Sequence, residues 1–146
     1  MLQIRIQRLR PGAQLPSYSS AQAAGADLHA CIDTPMDIAA GETVLIPTGF
    51  AMALPEGYAG LIYARSGLAT KRGLAPANKV GVIDPDYRGE VMVSLHNHSQ
   101  SSQTIAPGER IAQLIVTPYL TGMFMEVNAL DDTERGSGGF GSTGQV

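Results

Sequence analysis

The apolar residues of this 146-residue chain come in short runs, each cut within about ten residues by proline, glycine or a charge. A membrane-spanning helix needs about 20 consecutive apolar residues, so the sequence argues against a membrane partner. The first run shows the alternative pattern. Leu2, Ile4 and Ile6 alternate with Gln3, Arg5 and Gln7, a period of two that buries one face of a strand. Further strands are expected at Glu42–Pro47, Phe50–Leu54, Tyr58–Ala64, Val80–Asp84, Glu90–Asn97 and Arg110–Pro118. Turn sequences bound them, including PTG at 47–49, PEG at 55–57 and PGE at 107–109. With 17 glycines, 9 prolines and strands every 8–15 residues or so, the chain reads as an all-β, jelly-roll-like barrel or sandwich. One short helix is expected, with Ser66 as N-cap, Lys71 and Arg72 in its last turn and Gly73 just past its end.

Composition bounds the function. Apolar residues make up 44% and charged residues 16%, enough for one buried core. Residues 1–130 read as a single domain. Asp131–Val146 (DDTERGSGGFGSTGQV) carries five glycines and reads as a flexible tail. Arg135, Phe140, Ser142 and Thr143 within it suggest a segment that orders on an anionic, aromatic ligand. The net charge of −3, without a basic block, argues against nucleic acid as a partner. Cys31 is the only cysteine, so it forms no intramolecular disulfide or thiolate cluster; it reads as a small buried hydrophobe in a reducing cytoplasm. The N-terminus lacks the apolar core of a secretory signal.

Four segments carry polar residues suited to chemistry. Arg65-Ser66-Gly67 sits where a strand gives way to the helix, and combines a forked cation with backbone N–H donors, an arrangement suited to phosphate. In GVIDPDYRGEV, two alternating runs flank a tight connection and read as a β-hairpin, with Asp84 closing its first strand as a candidate base. Asp27, in AGADLHA, is a lone acid that could serve a turn, a metal shell or another side chain. In RIAQL, period-two alternation puts Arg110 and Gln113 on opposite faces, leaving Gln113 as a polar intruder in need of a partner. The tail superficially looks like a phosphate-binding P-loop but lacks its lysine and following helix. No CxxC or GxSxG motif is present, and His29, His96 and His98 read as surface or structural residues.

The order of these segments is more specific than any one of them. AGADLHA, ARSGLA, GVIDPDYRGEV, GERIAQLIV and RGSGGFGSTG together resemble the five ordered motifs of the trimeric deoxyuridine triphosphatase (dUTPase) family, over nearly the whole chain. The resemblance implies a jelly-roll homotrimer whose sites are shared between subunits. It also implies Mg²⁺-dependent hydrolysis of dUTP to dUMP and pyrophosphate. Asp84 would then be the general base, with Asp27 nearby supporting the water or the metal's water shell, and Mg²⁺ would be held mainly by the triphosphate. Arg65, Ser66, Gly67 and Gln113 would hold phosphates. Asn78 and the backbone of Gly81, Val82, Ile83 and Asp84 would read uracil, Tyr87 would pack under the deoxyribose, and Met92 would lie close by. From the tail, Arg135 would meet the γ-phosphate, Phe140 would stack on uracil, and Gly141, Ser142 and Thr143 would cover the phosphates. The related dCTP deaminases carry a glutamate near the hairpin and a second serine after the Arg-Ser pair; Asp84 and Gly67 stand here instead. A non-catalytic nucleotide-binding trimer would be favoured by replacement of Asp84 or Arg135, and both are present.

Overall fold

The structure, a computed structural model, describes residues 2–139. Among these lie twelve strands and one helix. In chain order they are β1 (Arg5–Arg8), β2 (Ser17–Tyr18), β3 (Ala26–His29), β4 (Met36–Ile38), β5 (Thr43–Pro47), β6 (Phe50–Ala53) and β7 (Tyr58–Tyr63). Then follow α1 (Ser66–Arg72), β8 (Leu74–Pro76), β9 (Gly81–Ile83), β10 (Met92–Asn97), β11 (Gln103–Ile105) and β12 (Arg110–Pro118). All ladders are antiparallel: β2-β3-β12-β7-β9 is the largest sheet, β5-β10-β8 the second, and β1-β6 and β11-β4 close the sides. The result is an all-β fold of jelly-roll type. Among the described residues no helix is long and apolar enough to cross a membrane.

Alternation does the packing. Along β10, Val93, Leu95 and Asn97 are buried while Met92, Ser94 and His96 are not. Leu28, Ile38, Ile46, Phe50, Leu74, Leu95, Ile105 and Ile111 meet in one core, completely removed from solvent. Two polar side chains share that interior and both are satisfied. Thr48 donates to the Val91 carbonyl at 2.6 Å, and the Asn97 amide donates to the carbonyls of Ile38 and Ser101 while its oxygen accepts from Ser99.

The helix is fixed at its C-terminal end and left open at its start. Ser66 is its first residue, not its N-cap; Arg65 takes that position with φ −87° and ψ 126°, and no side chain caps the first turn. Gly73 ends the helix with φ +68°, where a β-carbon would also strike the Ser99 backbone. Arg72 ties the last turn to Glu109 and to the Thr104 carbonyl.

Other expectations are corrected by the fold. The segment from Val80 to Leu95 is not a hairpin: β9 pairs with β7 in the large sheet, whereas β10 pairs with β5 and β8 in the second. The strand after the turn is captured elsewhere, because Val91 donates to Phe50 and accepts from Thr48. Alternation specifies which face a side chain takes but not which strand lies alongside. Leu2 is exposed and outside β1, so only Ile4 and Ile6 of the first run pack on the core. Cys31 is half-buried rather than internal, its thiol aimed at the Pro11 carbonyl 3.9 Å away.

Candidate active site

The crossing from one sheet to the other opens a pocket of about 330 Å³ between them. β9 supplies Gly81, Val82 and Ile83, the following turn supplies Asp84 and Tyr87, and Asn78 comes from the turn before β9. Lys79 in that turn has φ +65°, and the Lys79 and Val80 amides bond back to Pro76 and Asn78. These bonds clamp the chain on either side of the Asn78 side chain. Val91, Met92, Leu45, Ile62 and Glu90 complete the lining. The two carboxylates here are not equivalent. Glu90 is committed, its oxygens accepting from the Gly49 amide at 2.9 Å and from Arg10 at 2.8 Å. Asp84 is exposed, and among the described residues no donor reaches its carboxylate, which leaves it able to take a proton from water. The pocket therefore offers an apolar wall, an amide edge and one uncommitted base.

A second cleft, of about 350 Å³, lies where α1 starts beside β3 and β12. Asp27 is among its lining residues. Its Oδ1 accepts from Arg65 Nε at 2.9 Å and its Oδ2 from Arg110 Nη1 at 3.2 Å. Both carboxylate oxygens of Asp27 are thus engaged by arginines. Holding Arg65 through Nε leaves the two terminal nitrogens of the fork for an anion. Gln113 enters the same cleft, donating to the Ala64 carbonyl at 2.8 Å. Arg110 and Gln113 therefore share a face, contrary to simple alternation. The ladder pairs Arg110 with His29 and Ala112 with Leu28, so Ile111 is an extra residue, a β-bulge that reverses the parity of everything after it. Ile111 thereby turns into the core while Gln113 and Ile115 turn to the cleft.

His29 follows Asp27 along the same face of β3. Among the described residues its buried Nδ1 has no partner, and burial pushes its pKa below the ordinary 6.5; Asp27 opposes that shift while Arg110 and Arg65 reinforce it. The cleft is thus cationic in character, with one carboxylate between two guanidinium groups.

The pairing of a nucleoside-sized pocket with a cationic cleft can be compared with known proteins. The dUTPase family model matches residues 12–144. The chain belongs to the dUTPase family. The deoxyuridine 5'-triphosphate nucleotidohydrolase of Thiobacillus denitrificans is 49% identical over 145 residues, covering 99% of both chains. That of Paraburkholderia phymatum is 46% identical over 145 residues, covering 99% of this chain and 98% of its own. Among solved structures, the Staphylococcus bacteriophage 80alpha dUTPase with dUPNHPP superposes with a TM-score of 0.89 at 27% identity, covering 98% of this chain and 99% of that one.

The site residues expected of a dUTPase divide between the two cavities. Asn78, Gly81, Val82, Ile83, Asp84, Tyr87 and Met92 all line the first; Asp27, Arg65, Ser66, Gly67 and Gln113 all line the second. No lining residue is common to both: Asp27 lies on β3, and β12 and β7 stand between it and β9, which Asp84 follows. Arg135 lines neither; its Nε donates to the Gly138 carbonyl within a turn of the tail. Phe140, Gly141, Ser142 and Thr143 lie outside the described residues. Sequence reasoning missed Arg110 as a cleft residue, and the only signal for it was its place beside Gln113 in RIAQL. It also missed Glu90 and Leu45 in the first pocket, since their roles depend on strands that meet only in the fold.

Proposed function

We propose that this chain hydrolyses dUTP to dUMP and pyrophosphate by attack of water on the α-phosphorus. In the cytoplasm this would limit uracil incorporation into DNA and supply dUMP for thymidylate synthesis. The observation that carries the reading is the first pocket, which gathers Asn78, the β9 backbone, Tyr87 and an uncommitted Asp84 around one nucleoside-sized space. Asn78 and the Gly81–Asp84 backbone hydrogen-bond the uracil edge, and Tyr87 forms the floor under the deoxyribose. Asp84 accepts the proton of the attacking water, whose line of approach is set by the bound nucleotide. In the second cleft, the Arg65 fork and the uncapped first turn of α1 at Ser66 and Gly67 receive the triphosphate, with Gln113 beside them. Arg135 meets the γ-phosphate, and the tail from Asp131, with Phe140 over uracil and Gly141, Ser142 and Thr143 over the phosphates, closes a site.

The donor set fits a divalent cation carried by the substrate. Among the described residues no three His, Cys, Asp or Glu side chains are grouped to hold a metal, and both Asp27 oxygens already face a guanidinium. Mg²⁺ would be held mainly by the triphosphate, and Asp27 would support it through a water. When bound, the ion neutralises charge on the triphosphate and the leaving pyrophosphate.

A complete site is assembled from a homotrimer. The first pocket is lined by Asn78, Tyr87 and Asp84 without an arginine or lysine, whereas the second is lined by Arg65 and Arg110. After β12 ends at Pro118, the side chains of Leu120, Met123, Phe124 and Leu130 stand almost fully exposed. Such an apolar arm suits burial on another copy. A head-to-tail cyclic trimer repeats both junctions three times.

The test is pyrophosphate release from dUTP, dCTP, dTTP and UTP with and without Mg²⁺. The reading expects kcat/KM for dUTP at least about 10³-fold above the others, with Mg²⁺ required. Deamination of dCTP without pyrophosphate release would overturn it.

A further inference from the structure

Gly89 has no evident conformational reason to be glycine. Its φ lies outside the left-handed region occupied by Gly12, Gly41, Gly49, Gly57, Gly73, Gly108 and Gly136, so any residue could adopt its backbone. What excludes a side chain there is Tyr87. A β-carbon on Gly89 would lie 2.6 Å from Tyr87 Cζ and 3.0 Å from Cε2, and closer still to the hydroxyl. Non-bonded carbons approach to about 3.5 Å at best, so ring and β-carbon cannot share that space.

The ring lies over Gly89 because its hydroxyl donates to the Glu90 carbonyl at 2.9 Å. Glu90 is itself fixed by Gly49 and Arg10. One end of the ring is thus anchored to a rigid point, and its body rests on a residue with no side chain. Tyr87 lines the pocket that also holds Asn78 and Asp84. Tyr87 is 45% exposed, so a methyl group at position 89 has an easier victim than the backbone: the ring swings out towards solvent and the Glu90 bond breaks.

We infer that Gly89 is a specificity-positioning residue: by leaving room for the Tyr87 ring, it sets the height of the pocket floor and thereby the exclusion of a 2′-hydroxyl. This rests on the proposed role of Tyr87 under the deoxyribose. Gly89 touches no reacting atom. Its effect runs through the ring alone, and the chemistry at Asp84 is left in place.

The experiment compares kcat and KM for dUTP and UTP in the full-length wild type, Gly89→Ala, Tyr87→Ala and the double variant, with the thermal midpoint of each. Gly89→Ala is expected to lower the dUTP-over-UTP ratio of kcat/KM by about tenfold or more, the scale of one lost steric or polar match. The change should fall mainly on KM, with kcat for dUTP kept within about threefold. In the Tyr87→Ala background the same glycine substitution should cost nothing further, because the ring it displaces is gone. A Gly89→Ala enzyme with unchanged selectivity, or a further selectivity loss in the double variant, would overturn the inference. So would failure of Gly89→Ala to fold, since the ring and not the backbone is argued to yield. If instead Tyr87→Ala keeps the wild-type preference, it is the role of Tyr87 itself that fails.

Discussion

Replacing Asp27 by asparagine tests the electrostatic centre of the cationic cleft. The side chain keeps its shape but loses its charge, and its amide nitrogen must now face one of two guanidinium donors. The bond to Arg65, 2.9 Å long between side chains 14% and 26% exposed, is a charge-assisted bond worth about 1.5–3 kcal/mol. The bond to Arg110, longer at 3.2 Å and with the arginine side chain 52% exposed, adds no more than about 0.5 kcal/mol. The expected loss of folding stability is therefore about 1.5–3.5 kcal/mol, read from urea unfolding at fixed protein concentration. In an Arg110→Ala background the same substitution should still cost about 1.5 kcal/mol or more, because Arg65 holds the larger share. The activity should fall as well, since Arg65 loses the partner that aims its fork. A stability change below about 0.5 kcal/mol would refute the reasoning: Asp27 would then be a solvated carboxylate beside two arginines, not the group that organises them.

Other substitutions probe the remaining parts. Asp84→Asn should lower kcat by about 10²–10⁴-fold with nucleotide affinity nearly unchanged; retention of kcat within about fivefold would assign the water to another base. Deleting Arg135–Val146 should leave the fold and assembly intact and lower kcat/KM by at least about tenfold. Co-expressing that truncation with a tail-bearing Asp84→Asn chain should restore part of the activity in mixed trimers verified by mass spectrometry. No recovery in verified mixtures would mean that each tail serves its own chain. His29 gives a pH signature. Its folded pKa lies below 6.5, so the unfolded chain binds a proton the folded one excludes, and stability declines as the pH falls below about 6.5. His29→Gln should flatten that decline in thermal midpoints measured between pH 7 and 5, and an unchanged slope would remove His29 as its cause.

Much of this was legible in the chain itself, because it depends on local chemistry. A strand turns alternate residues to opposite faces whatever lies beside it, so Val93 and Leu95 could be read as core before any partner was known. Glycine and proline mark turns through their own backbone limits, which placed most of the longer strands to within a residue or two. The order of AGADLHA, ARSGLA, GVIDPDYRGEV and GERIAQLIV likewise pointed to Asp84, Asn78 and Tyr87 in one cavity and to Asp27, Arg65 and Gln113 in the other. The strands β2, β4, β8 and β11, of two or three residues each, escaped, being too short to establish a period. Partnership is a different kind of information. Whether β9 pairs with β10 or β7 is settled by burial summed over the whole core, to which Gly81–Ile83 contribute only a part. The bulge at Ile111 leaves no mark in the residues around it, yet it alone brings Arg110 to the same face as Gln113. Asp27 meets Arg65 and Arg110 across 38 and 83 residues of chain, and Tyr87 excludes a side chain at Gly89 through a ring orientation set at Glu90. Alternation is a property of one backbone segment, whereas these juxtapositions belong to several segments at once, and only the folded core decides which of them meet.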